Sequence, residues 1–139
     1  MWCYPMRPDD WTEAMAWCAT AQEDLALARQ LVGHQAFPRQ SSYSAQQAAE
    51  KSLKALLTAH GLTFPKTHDL IQLHALLPAH HATLPTMQRL DLATLTSWAI
   101  RGRYPHTGPA AMADEARRAC EDASTIVDLV TAFLEQHRP

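Results

Sequence analysis

Asparagine is missing from the 139 residues, glycine occurs only four times, and no apolar run is long enough to cross a bilayer. With so few glycines there is no Gly-rich loop to cradle a phosphate. The lack of asparagine goes with nine arginines against three lysines, a bias of composition and not of mechanism. The three cysteines, Cys3, Cys18 and Cys120, are odd in number, widely spaced and without a C-x-x-C pair. They fit no disulfide framework, and a reduced, cytoplasmic chain is the expectation. The opening MWCYPMRPDDW lacks the apolar core of a signal peptide. A formal net charge of −2 removes any global basic field that would hold nucleic acid nonspecifically, though not a local basic site. Among the histidines, His60, His68, His74, His80 and His81 form no HExxH and no i,i+4 pair on one helix, so no metal and no cofactor are expected.

What is present is a globular composition, 47% apolar and 19% charged, in a chain of one-domain length. Its periodicity is helical throughout. A first helix is expected from Asp10, with Glu13 completing a capping box, to Gly33. Within it Trp11, Cys18, Leu25 and Val32 recur every seven residues, as do Ala14, Ala21 and Ala28, giving a seam whose alanine row admits a close neighbour. A loop with Pro38 leads to a second helix from about Gln40 to His60, stopped by Gly61. Thr67 is placed as the cap of a short helix, with His68 bonding locally after it, and His80 to Leu84 as loop. A further helix is expected from about Thr86 to Ile100, with Pro85 at its start. The last runs from about Pro109 to Glu135, with Ala116, Cys120, Ala123, Val127, Val130 and Leu134 on one seam. The fold class is therefore all-α, an antiparallel bundle of four to five helices, with residues 1–9 as an N-terminal extension and 10–137 as a single helical domain.

The second helix poses a question. Ser42, Gln46, Ala49, Leu53 and Leu56 share one stripe, so Gln46 stands in line with core residues. A buried amide persists only when hydrogen-bonded, so Gln46 must bond a neighbouring backbone or a partner chain. Beside it lie Tyr43, Gln47, Glu50 and Lys54, the last two in the favourable i,i+4 orientation.

These residues also carry a resemblance. YSAQQAAEKSLKALLTAHGLTFPKTHDLIQL, with GRYP following, resembles the HEPN family and in particular its small stand-alone prokaryotic members. The matching positions are Asp24, Leu25 and Ala28; Gln46, Gln47, Ala48, Glu50, Lys51, Lys54 and Ala55; Thr67, His68 and Leu70; and Arg103, Tyr104 and Pro105. The resemblance implies a bundle of four or five helices acting as a homodimer, associated with RNA or nucleotide binding and with a nucleotidyltransferase partner. It places Gln46, Gln47, Glu50 and Lys54 on a dimer or partner surface.

Ribonuclease members carry an Arg, four to six residues, then His. Metal-free RNA cleavage needs a base, a cation for the developing charge and an acid, which two such pairs across a dimer supply. Arg101 and His106 have that spacing and are the candidate catalytic pair. Arg29 and His34 share the spacing, so the motif alone carries little weight. Active members place a polar residue just after the Arg, where this chain has Gly102. Pro105 also opposes one helix carrying both residues. Three readings follow: a nucleotide- or RNA-associated module in which Arg101, Arg103 and Lys51 contact phosphate and Tyr104 stacks on a base; a metal-independent endoribonuclease of a toxin–antitoxin pair using Arg101 and His106; and a purely structural dimerisation bundle.

Overall fold

A computed structural model describes residues 6–105 and 108–139. These form six helices, α1 (Pro8–Gly33), α2 (Pro38–Ala59), α3 (Leu70–Ala75), α4 (Leu84–Met87), α5 (Leu92–Arg101) and α6 (Ala113–Gln136). Among the described residues there is no strand, and no helix is long and apolar enough to cross a membrane.

The alanine row sets the architecture. Ala14, Ala21 and Ala28 are fully buried, and α1 packs most extensively against α2, antiparallel to it across a short loop. The Ser41 hydroxyl donates to the Ala28 carbonyl at 2.9 Å, a bond that close approach of the two backbones permits. α2 also packs on α3, α5 and α6, so it is the central helix. That position explains why fourteen of its residues are buried, and why its polar side is far narrower than a surface helix would have. On α6 all six residues of the expected seam are buried.

Five boundaries differ from the sequence reading, each for a local reason. α6 starts at Ala113 and not at about Pro109, because Glu115 accepts the Met112 amide at 3.1 Å. α1 begins at Pro8, whose missing amide hydrogen costs nothing in the first turn, and Asp10 pairs with Arg7 at 3.0 Å instead of capping. Pro38 likewise opens α2 rather than sitting in the loop before it. The cap of α3 is Asp69, which accepts the Ile71 and Gln72 amides at 2.9 and 3.4 Å; Thr67 instead accepts the Asp69 amide at 3.1 Å. The helix expected over 86–100 is two helices, because Asp91 caps a new one through the Thr94 amide at 3.1 Å.

The stretch around His81 is a loop up to Leu84, where α4 starts, but His81 and Thr83 within it are buried. His81 and His60 are both 7% exposed, and their Nε2 atoms lie 2.8 Å apart. Phe133 of α6 packs on both rings, and His137 stacks on Phe133 with centroids 4.1 Å apart. Burial pushes both His60 and His81 down to about 4. Two neutral rings thus close the end of the bundle. Among the described residues no cluster of three or more His, Cys, Asp or Glu is arranged to hold a metal ion.

Candidate functional site

α5 ends where it meets α2. Leu95, Trp98 and Ala99 hold its inner face in the core, and the Gly102 amide donates to the Trp98 carbonyl at 2.9 Å as the helix stops. A Cβ on Gly102 would fall onto the Tyr43 side chain, 2.8 Å from its Cδ1. The Gly102 carbonyl accepts from Arg39, in the first turn of α2. The α5 terminus is therefore pinned to α2 by a close approach and a charge-assisted bond. A side chain at position 102 therefore has no room on this backbone.

The two arginines of the Arg-Gly-Arg step then part company. Arg101 turns inward, with its guanidinium 3.9 Å from the Trp98 ring centroid. Nη1 pairs with Glu115 of α6 at 3.3 Å, and Nη2 donates to the Pro109 carbonyl at 3.4 Å. Its side chain is 20% exposed, and it ties α5 to the segment leading into α6. Arg103 turns outward. It is exposed, and its Nη2 donates to the Tyr43 hydroxyl at 3.0 Å. The bonds from Tyr43 first, and then Tyr104, raise its already high pKa. Tyr104 is itself 53% exposed. A cleft of about 100 Å³ is lined by Arg39, Trp98, Arg101 and Tyr104. His106 lies outside the described residues. Arg101 is the last residue of α5, so that helix does not carry both members of the candidate catalytic pair.

Two turns along α2, the amide question is answered inside the chain. Gln46 is fully buried, and its Nε2 donates to the His68 carbonyl at 3.0 Å and, more weakly, to Glu50 at 3.4 Å. Gln47 donates to the Gln46 side-chain oxygen at 2.8 Å. Glu50, 4% exposed, binds Lys54 through one oxygen and the His68 Nδ1 through the other, each at 2.8 Å. Burial raises the Glu50 pKa, but the bonds from Lys54 and His68 outweigh it, and the carboxyl stays below its ordinary range. Lys54 also lies 5.8 Å from the Trp17 ring centroid and 5.9 Å from that of Phe64. Lys51 is paired with Asp24 of α1 at 2.6 Å.

The candidate residues thus fall into two groups on one helix edge. Arg103 and Tyr104 are displayed, with Tyr43 partly buried beside them and Arg39, also exposed, bonded to the Gly102 carbonyl. Gln46, Glu50 and Lys54 form a polar network within the monomer, with Gln47 and His68 at its surface. Sequence reasoning missed Arg39, Tyr43 and His68 as participants. Arg39 and His68 sit next to helix starts, where tertiary partners are invisible in a one-dimensional pattern, and His68 reaches Glu50 instead of bonding locally.

A family model described as HEPN domain matches residues 14–135. The crystal structure of TT1696 from Thermus thermophilus is similar over 86% of this chain and 96% of its own, at 28% identity and a TM-score of 0.71. The crystal structure of ST0689, an archaeal HEPN homologue, shares the fold over 87% of this chain and 97% of its own, at 21% identity and a TM-score of 0.66. No curated protein matches the sequence.

Proposed function

On the premise that the chain belongs to the HEPN domain family, we propose that it is a single-stranded RNA- or nucleotide-binding module whose phosphate contact is Arg103 and whose stacking residue is Tyr104. The observation that supports this reading is the difference between its two neighbouring arginines. Arg101 and Lys51 already hold carboxylates, and transferring either to a phosphate means breaking an ion pair. Arg103 keeps an exposed guanidinium, steadied by the Tyr43 hydroxyl and set beside an exposed aromatic ring. A planar cation next to a stackable ring is the pairing that single strands use. In this reading the module works as a homodimer alongside a nucleotidyltransferase partner, as the resemblance of its motifs implies.

The endoribonuclease alternative, with Arg101 and His106 as the catalytic pair, asks Arg101 to leave Glu115, the Pro109 carbonyl and the Trp98 face before it can meet a phosphate. The third reading, a purely structural dimerisation bundle, leaves the display of Arg103 and Tyr104 without a purpose.

The test is titration of a short fluorescent single-stranded RNA with wild type and Arg103→Ala, both checked for helicity. Binding lost in the folded variant supports the reading, and equal binding refutes it. Incubation of an RNA pool in EDTA with wild type and His106→Ala runs beside it: cleavage that the variant lacks would move the assignment to the ribonuclease.

A further inference from the structure

We infer that the binding site extends beyond Arg103 as a track along the edge of α2 to His68, so that its ligand is a single-stranded RNA chain of several nucleotides and not a mononucleotide. The inference rests on the reading of Arg103 given above. Tyr43 and Glu50 are seven residues apart on α2. Two helical turns separate them, so their side chains leave the helix on the same side, about 10 Å apart along its axis. Each supports a group from another segment: Arg103 bonds the Tyr43 hydroxyl at 3.0 Å, and His68 bonds Glu50 at 2.8 Å. α3, which follows His68, and α5, which leads to Arg103, both pack on α2 and on each other, so the two groups belong to one face.

His68 is built for contact. Its Nδ1 is engaged by a buried carboxylate and its backbone carbonyl by Gln46, which together fix the ring, while the side chain remains 49% exposed. A ring that donates its Nδ1 proton to the carboxylate leaves Nε2 as an acceptor, a hydrogen-bond partner for a 2′-hydroxyl or a base amino group. Gln47, between the two supports, is partly exposed and uses its Nε2 on Gln46. Along this line Glu50 is buried and paired with Lys54, and the Asp69 carboxylate beside His68 is engaged by the Ile71 and Gln72 amides. A nucleotide whose phosphate meets Arg103 and whose base stacks on Tyr104 occupies one end of the track and leaves the other unfilled. A strand can serve both.

The experiment measures the affinity of the full chain for oligouridylates of two and of six nucleotides. The expected result is a hexanucleotide bound at least about tenfold more tightly than the dinucleotide, or about 1.4 kcal/mol. In His68→Gln that length ratio should fall toward one. Gln47→Glu, which places a negative charge in the middle of the track and takes from Gln46 the donor to its side-chain oxygen, should lower the ratio too in a protein checked for helicity. It decides the matter if His68→Gln does not fold. Equal affinity for both lengths in wild type, or a ratio unchanged in the folded variants, overturns the track and leaves Arg103 as a local phosphate contact. Failure of wild type to bind either length overturns the underlying reading, and the track with it.

Discussion

The His60 and His81 imidazoles share one proton between Nε2 atoms 2.8 Å apart at the closed end of the bundle. The Thr83 amide donates to His81 Nδ1 at 3.2 Å, so His81 carries its proton on Nε2 and donates it to His60. Protonating His60 puts two N–H donors face to face in a buried site, and protonating His81 sets an Nδ1 proton against the Thr83 amide. His74 adds unfavourable charge toward His81, and His137 toward both rings.

Acid sensitivity follows, and its sign is fixed. Both rings have folded-state values near 4 against an ordinary 6.5, so between those limits the unfolded chain binds more protons. Stability from this pair is fully present above about pH 6.5 and is lost as the pH falls toward 4, on the order of 3 kcal/mol for one such ring. The carboxyl of Glu50 is depressed and acts lower down, losing its contribution as the pH falls through its own folded value. Urea unfolding at pH 7, 6, 5 and about 4.5 should show a steady decline; a flat profile over that range would sink the account.

Gly102 is expected to tolerate no side chain. Gly102→Ala forces a methyl onto Tyr43 and should cost about 1–3 kcal/mol through overpacking. A Gly102→Asn change, which supplies the polar residue of the family's active members, should destabilise at least as much. Thermal melts of both variants check this, and a melting temperature equal to wild type in either would show that the α5 terminus yields easily.

The polar network and the Lys51 pair should differ sharply in cost. Glu50→Ala strands Lys54, whose side chain is 13% exposed, and should cost about 3–5 kcal/mol. Lys51 and Asp24 are each about a quarter exposed, so Lys51→Ala should cost no more than about 1 kcal/mol. Denaturant curves on the two variants separate the cases, and equal losses would mean that the Glu50 network carries no special weight.

Much of this was legible in the sequence because it is local or periodic. The alanine row of α1, the seam of α6 and the buried amide of Gln46 all follow from helical spacing, and so does the all-α class. The split between α4 and α5 is hidden because the side chain of Asp91 caps a helix inside a stretch that reads as continuous. The site was harder. Arg101 and Arg103 look alike in sequence, and only the positions of Trp98, Glu115 and Tyr43 send one inward and the other out. The chain neighbours of His68 suggest a local bond, whereas its partner lies eighteen residues away on α2.

That divergence gives the sharpest pair of variants. Arg101→Ala uncovers the Trp98 face and takes the cation from Glu115, which keeps only the Met112 amide, so it should lower stability by about 1–2 kcal/mol. Arg103→Ala removes an exposed side chain bonded to the Tyr43 hydroxyl at the surface, so stability should stay within about 0.5 kcal/mol. RNA affinity should move the other way, falling sharply in Arg103→Ala and much less in folded Arg101→Ala. Measuring both quantities on both proteins gives a crossed pattern that a shared role for the arginines cannot produce. If Arg101→Ala were instead the variant that kept its stability and lost RNA, Arg101 would be the ligand contact and its tie to Glu115 a resting state.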